Sequence, residues 1–235
     1  MSLEILPVRG VGEIVPGTDL ALVLAEAAAT AGTPLADADC LVVTQKVVSK
    51  AEGRLVPLDP DDRAARAALV EAESARIVRR RGDLIISETR HGFICANAGI
   101  DLSNVEAGTA ALLPLDSDRS ARRIRDAIRG RFGVDTAVVI SDTFGRPWRR
   151  GLTDVAIGVA GLAAVLDLRD TPDAGGRTLA VTEIAIADEV ASAAELVMGK
   201  AAGIPAAIVR GLDPAWRRES SVDELIRPPA EDLFR

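Results

Sequence analysis

Short apolar runs recur along the chain, and most of them end at polar or turn-forming residues. Runs of this length, rich in β-branched residues, are typical of strands that are buried on both faces of a sheet. They predict strands at residues 3–8, 40–43, 84–87, 93–96, 110–115, 137–140, 178–181 and 204–209.

Segments with helical periodicity separate these runs. Thr18 or Asp19 caps the first of them, and Asp188 caps the last. A long charged helix ends before Gly82, where three arginines suit the negative end of the helix dipole. An apolar segment rich in glycine and alanine predicts a helix in a packed interior or at a subunit interface. The predicted helices span residues 20–31, 61–81, 120–130, 155–168 and 188–199.

The stretch from Thr136 to Asp154 carries the most concentrated candidate chemistry. Its apolar run ends at Asp142 and Thr143, and open α/β sheets place their chemistry just past the carboxyl ends of strands. An aspartate and a threonine there can hold a divalent cation through hard oxygens. The guanidinium groups that follow, at positions 146, 149 and 150, can bind phosphate or carboxylate. The alternative is an ordinary strand followed by a solvated turn.

A second apolar run, 40–43, leads directly into Gln45, Lys46 and Lys50. Only three of the 28 basic residues are lysines, the third being Lys200. Two ammonium groups four residues apart after a buried strand could both face a phosphate. The alternative interpretation is that they occupy solvated helix or loop positions.

Two further segments hold candidate polar groups. Asp101 and Asn104 are three residues apart, so a helical turn would point them the same way, and Asp101 could share a divalent ion with Asp142. An Asx-turn with a helix cap explains the same residues equally well. His91, the only histidine, lies in a predicted turn, where a surface position is more common than a catalytic base.

The familiar phosphate-binding motifs are incomplete. Gly10 and Gly12 begin a dinucleotide fingerprint that has no third glycine, so a Rossmann site is rejected. Gly199 and Lys200 lack both the upstream glycine and the following serine or threonine of a Walker A loop.

Composition narrows the class of protein. The 235 residues include 48% hydrophobic and 27% charged residues, typical of a globular protein. A net charge of −7 disfavours partners such as nucleic acid or an acidic membrane surface. Cys40 and Cys95 lie in apolar runs and are expected to be reduced core thiols. With no leader and no membrane-length apolar run in the sequence, we expect a soluble cytoplasmic protein.

Strand ends with carboxylates and nearby cations suit phosphoryl transfer, in which the protein positions phosphates and neutralises charge. The segments VVTQKVVSKAEGR, DLSNV and VVISDTFGRPWRRGLTDVAIG, with VRG near the end, closely resemble the coenzyme F420-0:L-glutamate ligase family, also called coenzyme F420:gamma-glutamyl ligase. The resemblance runs in order from about Leu6 to Gly211, so we expect a ligase domain at 1–211 and a tail at 212–235.

The resemblance implies a GTP-dependent ligase that adds L-glutamate to coenzyme F420-0 through an acyl phosphate and releases GDP and phosphate. It implies Mg²⁺ or Mn²⁺, K⁺, and an interlocked homodimer with an α+β fold of mixed sheets and packed helices, unlike Rossmann or P-loop proteins. Two alternatives use the same carboxylates: a metal-dependent nucleotide hydrolase and a non-catalytic GTP-binding protein.

Residue by residue, the resemblance implies metal binding by Asp101, Asp142 and Thr143, and catalytic roles for Lys50 and Asp142. It also implies nucleotide contacts for Val11, Gly12, Glu13, Ile14, Gln45, Lys50, Asn104, Met198, Gly199 and Lys200. Some relatives look to have glutamine as a metal ligand at the position where this sequence has Lys200. A protonated lysine cannot ligate a metal, so this residue could instead contact phosphate.

Overall fold

A computed structural model describes residues 2–103 and 105–232. Its helices are α1 (Leu20–Thr30), α2 (Gln45–Ala51), α3 (Arg63–Ala72), α4 (Ser117–Phe132) and α5 (Ile186–Met198). Its strands are β1 (Glu4–Val8), β2 (Cys40–Thr44), β3 (Leu55–Pro57), β4 (Ser74–Arg81), β5 (Leu84–Thr89), β6 (Ile94–Ala96), β7 (Thr109–Ala111), β8 (Ala137–Arg146), β9 (Arg149–Ala160), β10 (Leu166–Asp167), β11 (Glu183–Ile184) and β12 (Ala206–Arg210).

A five-stranded mixed sheet in the order β1-β12-β2-β8-β9 forms the centre of the molecule. The pair β2 and β8 is parallel, and the other neighbours are antiparallel. Three small antiparallel sheets, β4-β5-β6, β3-β7 and β10-β11, lie outside it. The predicted α+β class with mixed sheets is confirmed.

Helices cover both faces of the central sheet because its strands are apolar on both sides. Successive side chains of a strand alternate between faces. Leu41 and Val43 of β2 therefore pack with α1 and α4 in one core cluster, whereas Cys40 and Val42 pack with α5 in a second. Both predicted core thiols are free and buried, and burial raises the pKa of each to about 12.

The helix caps follow from the sequence. Asp19, rather than Thr18, caps α1, because its carboxylate accepts the N–H of Leu22 at 3.1 Å. Asp116 caps α4 in the same way through the N–H of Arg119, and Gly133 ends that helix in the left-handed conformation. Helix α5 begins at Ile186 instead of after Asp188.

The predicted long helix at 61–81 is wrong beyond Ala72. Residues from Ser74 form β4, which pairs with β5 through a turn at Gly82. Ile77, which fits a helical apolar face, instead lies opposite Ser87 and packs beside Val70 in a small separate cluster. The three arginines before Gly82 thus lie on an exposed strand, where no helix dipole acts on them.

The predicted helix at 155–168 is also wrong. Its first residues belong to β9, which forms a long hairpin with β8. Small and β-branched residues suit either structure, and the hairpin decides between them because it places this segment in the sheet. At Gly158 a Cβ atom would lie 2.5 Å from the backbone of Ser117, so this glycine lets α4 approach β9.

Three other predicted strands are shifted. The strand expected at 178–181 is reduced to one bridge between Pro172 and Thr178, and β11 follows it. The strand expected at 110–115 ends at Ala111. The strand expected at 204–209 is β12, which spans Ala206–Arg210. The described part of the predicted tail packs on the body of the molecule through Val222, which is 8% exposed. Within residues 2–103 and 105–232, no helix is long and apolar enough to cross a membrane.

Candidate functional site

A cleft of about 720 Å³ lies where β2 ends and β8 continues. The parallel ladder between them ends at the pair Thr44 and Ser141. The predicted strand end after Ile140 is therefore wrong in detail, since β8 runs on to Arg146 in a hairpin with β9. Asp142 and Thr143 nevertheless lie just past the carboxyl end of the neighbouring parallel strand, which is where the sequence places the chemistry.

Most of the predicted site residues line this one cleft. They come from the loop after β1, from α2, from the segment before β7, from β8 and from the loop after α5. The predicted residues in the cleft are Val11, Gly12, Glu13, Ile14, Gln45, Lys50, Asp101, Asp142, Thr143, Gly199 and Lys200. Asn104 lies outside the described residues. Met198 is 1% exposed, packs in the core beneath α5, and does not line the cleft.

Asp142 is the central carboxylate of the cleft. Burial, together with the charges of Asp101 and Asp154, raises the pKa of its carboxyl to about 7, against the lowering effects of the Thr143 N–H and of Lys200. The Thr143 N–H donates to the Asp142 carboxylate at 2.8 Å. A carboxylate so placed gains from any further cation that enters the cleft, because a nearby positive charge favours its ionised form.

On the α5 side of Asp142, a buried carboxylate organises the wall of the cleft. Asp154 is 2% exposed and accepts hydrogen bonds from Thr143 Oγ1 at 2.6 Å and Ser141 Oγ at 3.1 Å. The Lys200 ammonium lies 2.8 Å from Asp154 Oδ1 and 3.3 Å from Glu195 Oε1, and it also donates to Thr143 Oγ1. Partial burial lowers the pKa of Lys200, but these carboxylates outweigh it and raise the pKa overall.

The sequence reasoning did not assign a role to Asp154. Its position opposite Thr143 depends on the antiparallel register of the β8 and β9 hairpin. The turn signal GRPWRRG between two apolar segments could have indicated this hairpin, and with it the pairing of the two residues.

The opposite wall of the cleft holds two lysines of α2. Lys46 Nζ lies 2.8 Å from Asp101 Oδ2 and donates to Ser103 Oγ at 2.8 Å. Lys50 Nζ lies 2.6 Å from Glu13 Oε1. Both lysines face the cleft, so they are not the solvated helix positions of the alternative interpretation.

Asp101 adopts the Asx-turn that the sequence left open, with its Oδ1 accepting the N–H of Ser103 at 2.7 Å. Burial raises the pKa of Asp101, but the hydrogen bonds from Lys46 and Ser103 outweigh burial and lower it overall. Asp101 is thus ionised at neutral pH while it also faces Asp142, which makes it a candidate partner of Asp142 in binding a cation.

Gln45 is a buried residue that holds α2 in place beside the cleft. Its side-chain amide donates to Ser49 Oγ at 2.7 Å and to the carbonyl of Leu112 at 3.1 Å, and the residue is 1% exposed. These bonds tie α2 to the chain that follows β7, which fixes the two lysines above it.

Two other groups of predicted residues lie elsewhere. Arg146, Arg149 and Arg150 are exposed near the tip of the β8 and β9 hairpin, and none of them lines the cleft. Arg146 donates to the carbonyl of Arg150 at 3.0 Å. His91 stacks on Phe93 at 5.8 Å and lines a separate, smaller cavity.

The donor set of Asp101, Asp142 and Thr143 consists of hard oxygens, which fits Mg²⁺ or Mn²⁺. The ammonium groups of Lys46 and Lys200 hold the two flanking carboxylates. Across residues 2–103 and 105–232, no three His, Cys, Asp or Glu side chains are already arranged as a metal-ligand set. A divalent ion at Asp142 would therefore draw its other ligands from Asp101, Thr143 or a bound substrate.

Comparison with known proteins adds independent information. The model of the F420-0:Gamma-glutamyl ligase family matches residues 10–211. Two curated relatives, each named coenzyme F420:L-glutamate ligase, are 44% identical and cover all of this chain. One, from Methanothermobacter thermautotrophicus, is matched over its full length, and the other, from Methanopyrus kandleri, over 98%. A relative of the same name from Archaeoglobus fulgidus is 39% identical over all of this chain and 97% of its own length.

Proposed function

The chain belongs to the F420-0:gamma-glutamyl ligase family, and from this premise we propose that the cleft around Asp142 is the active site of a coenzyme F420:L-glutamate ligase in F420 biosynthesis. The observation that carries the assignment of the site is the meeting of Asp142, Asp101 and three lysines in one cleft. Such a set can place and neutralise phosphate groups next to a cation, which is what a ligase that uses a nucleoside triphosphate requires.

We propose GTP as the phosphoryl donor. The terminal carboxylate of F420-0 attacks the γ-phosphorus, the bond to the bridging oxygen breaks, and GDP leaves. The amine of L-glutamate then attacks the acyl carbon, a proton is lost from nitrogen, and inorganic phosphate leaves as the amide forms. Atoms and charge balance without an oxidant or reductant.

Different side chains of the cleft contribute to different parts of this reaction. Lys46 and Lys50 stand on one wall of the cleft, where their ammonium groups can exchange their carboxylate partners for phosphate oxygens. The loop from Val11 to Ile14 borders the same wall, and Gly199 and Lys200 border the other. Together they form a frame around the nucleotide that can exclude water from the acyl phosphate.

Asp101, Asp142 and Thr143 would hold Mg²⁺ or Mn²⁺. The ion supplies charge neutralisation for phosphate oxygens when it is bound. Through direct hydrogen bonds, Lys200 keeps in position both Asp154 and Thr143, the latter itself one of the proposed metal ligands. We keep K⁺ as a further cofactor implied by the family, without assigning residues to it.

We propose that the protein works in the cytoplasm as a homodimer. Two buried free thiols suit a reducing compartment. Several large apolar side chains are exposed, among them Leu152 at 66% and Leu196 at 81%, and a partner subunit would cover them. Sedimentation equilibrium tests the dimer, and a monomer at micromolar concentration would contradict it.

Product analysis tests the function. F420-0, GTP, L-glutamate and Mn²⁺ are incubated with the enzyme, and products are identified by mass spectrometry while GDP is measured with each substrate omitted in turn. A ligase yields a glutamyl adduct and releases GDP only in the complete mixture. GDP release without F420-0 and glutamate would indicate a nucleotide hydrolase, and GTP binding without turnover would indicate a non-catalytic protein.

A further inference from the structure

The ammonium group of Lys200 is surrounded by oxygens on the wall of the cleft. Its Nζ lies 2.8 Å from Asp154 Oδ1 and 3.3 Å from Glu195 Oε1, and it donates to Thr143 Oγ1. An ammonium group carries three donor protons and no acceptor. Three oxygen neighbours therefore match its three protons, and a phosphate oxygen could bind Lys200 only by replacing one of them.

The buried partner of Lys200 makes such a replacement costly. Asp154 is 2% exposed and belongs to β9, so its carboxylate cannot turn out to water. Removing the cation would leave this carboxylate buried without its counter-charge, which is strongly destabilising. Lys50 differs, because its partner Glu13 has a side chain that is 75% exposed and can be released into solvent. Phosphate can thus draw Lys50 from its partner, whereas Lys200 stays with Asp154.

The hydroxyl of Thr143 lies between Lys200 and the proposed metal position. Thr143 Oγ1 donates its single proton to Asp154 Oδ1 at 2.6 Å, so both of its lone pairs point away from that carboxylate. One lone pair accepts a hydrogen bond from Lys200. The other can ligate a divalent ion beside the neighbouring Asp142. Thr143 is therefore placed as an oxygen that bridges two cations, one of them an ammonium.

The surroundings of the ammonium favour positive charge. Two carboxylates, Asp154 and Glu195, face it. Helix α5 ends at Met198, two residues before Lys200, and the C-terminus of a helix carries partial negative charge. Gly199 between them has a φ of 59°, which lets the chain turn back toward the last turn of the helix. The same hard oxygens would suit a metal ion if no lysine were present.

This fixed charge faces the cleft. The side chain of Lys200 is 54% exposed, and the residue lines the cleft together with Asp142 and Thr143. Enzymes of phosphoryl transfer commonly use two cations to neutralise the attacking and leaving oxygens. An ammonium held beside a single divalent ion supplies the second positive charge without a second metal.

We propose that the Lys200 ammonium occupies a second cation position in the cleft, so that each chain binds one divalent ion, at Asp142, instead of two. The inference rests on the proposed function for the divalent ion, and it deepens that function by naming what neutralises charge beside it. Lys200 is a positioning residue in this account, because it acts through Thr143 and Asp154.

Equilibrium dialysis of the whole chain against Mn²⁺ and GDP tests the proposal, because Mn²⁺ complexed by free nucleotide is equal on both sides. The wild type should hold one Mn²⁺ per chain. Lys200→Gln replaces the ammonium by an amide oxygen that can ligate a metal and keeps Asp154, Glu195 and Thr143, so it should hold two. Electron paramagnetic resonance should show a coupled manganese pair in this variant, since two ions that share a ligand lie about 3.5–4 Å apart.

Two further variants separate the role of the charge from a general disturbance of the cleft. Lys200→Arg restores a cation at the same place and should return the count to one ion. Lys46→Gln removes an ammonium from the opposite wall, where Asp101 already serves the ion at Asp142, and should also hold one ion. Circular dichroism shows that each variant is folded. If Lys200→Gln does not fold, the count in the wild type still decides.

The outcomes separate this inference from the proposed function. Two ions in the wild type, none in the wild type, or a single ion in folded Lys200→Gln would each overturn the inference. A ligase whose wild type binds two ions would leave the function standing. One ion in the wild type and two in Lys200→Gln, in a protein that forms no glutamyl product, would support the inference and contradict the function.

Discussion

The cleft and the second cavity, the smaller one that His91 lines, satisfy their polar groups in opposite ways. Each of the three lysines in the cleft already has a carboxylate partner: Asp101 for Lys46, Glu13 for Lys50 and Asp154 for Lys200. The second cavity instead leaves His91 Nδ1 and Ser117 Oγ without partners.

The difference indicates how the polar groups of each region are balanced. In the cleft, phosphate and a divalent ion must displace ion pairs, so binding there is an exchange of partners whose net free energy is smaller than the new contacts suggest. Beside the second cavity, two buried polar atoms instead carry the cost of unmade hydrogen bonds, about 1–3 kcal/mol each. Asp142 is the exception within the cleft, because no lysine contacts it and its pKa is raised to about 7.

The largest expected effect on ligase turnover comes from removing the carboxylate of Asp142. Asp142→Asn keeps the shape of the side chain and should lower ligase turnover by about 100- to 1000-fold, the usual cost of losing one group that stabilises transferring charge. Initial rates of glutamyl-product formation at saturating Mn²⁺ measure the effect. Asp83→Asn, at an exposed position outside both cavities, is the control and should retain full activity. Wild-type turnover in Asp142→Asn would remove this carboxylate from the mechanism.

A second prediction concerns the close contact between α4 and β9 beside the second cavity. Gly158→Ala would place a Cβ atom 2.5 Å from the backbone of Ser117, which cannot move without shifting α4. We expect a loss of about 1–3 kcal/mol in the free energy of unfolding, or more if α4 cannot adjust. Gly145→Ala is the matched control, because Gly145 lies on β8 and an added Cβ meets nothing within 4 Å. Equal denaturation midpoints for the two variants would contradict the packing argument.

A third prediction follows from the sign of the Asp142 pKa shift. The pKa is raised from 3.8 to about 7 on folding, so the folded state binds the proton more tightly, and the ionised carboxylate costs stability as pH rises through this window. In chelator, Asp142→Asn should therefore be more stable than wild type, and its advantage should grow between pH 5 and pH 8. Discounting the shift for partial exposure, we expect this growth to be on the order of 1–2 kcal/mol.

Urea denaturation at the two pH values measures this difference. Asp83→Asn again serves as the control and should show no such trend. An advantage that is constant with pH, or larger at pH 5, would contradict the raised pKa.

Local sequence patterns predicted much of the cleft because its parts lie next to strand ends. Asp142, Thr143 and Lys50 each follow an apolar run, so strand patterns marked them as candidates, and the family resemblance then implied that they share one site. Asp154 was missed because its place depends on a hairpin register 11 residues away. The carboxylate partners of the lysines could not be read from spacing, since Lys46 and Asp101, for example, are 55 positions apart and meet only in the tertiary structure.

The errors in the fold have a similar origin. Residues 74–81 are rich in arginine, which is compatible with a helix, and only pairing with β5 makes them a strand. The second cavity had no sequence signal beyond a lone histidine, because it is assembled from four segments of the chain that tertiary packing brings together.

The most direct test of the central claim, that Asp142 and Asp101 place a cation at the active cleft, is anomalous diffraction from crystals grown with Mn²⁺ and GDP. We expect a manganese peak about 2.1 Å from an Asp142 carboxylate oxygen, with the diphosphate beside Lys46 and Lys50. The peak should be absent from Asp142→Asn crystals grown under the same conditions. A peak at another place in the molecule, or one unchanged in the variant, would contradict the account.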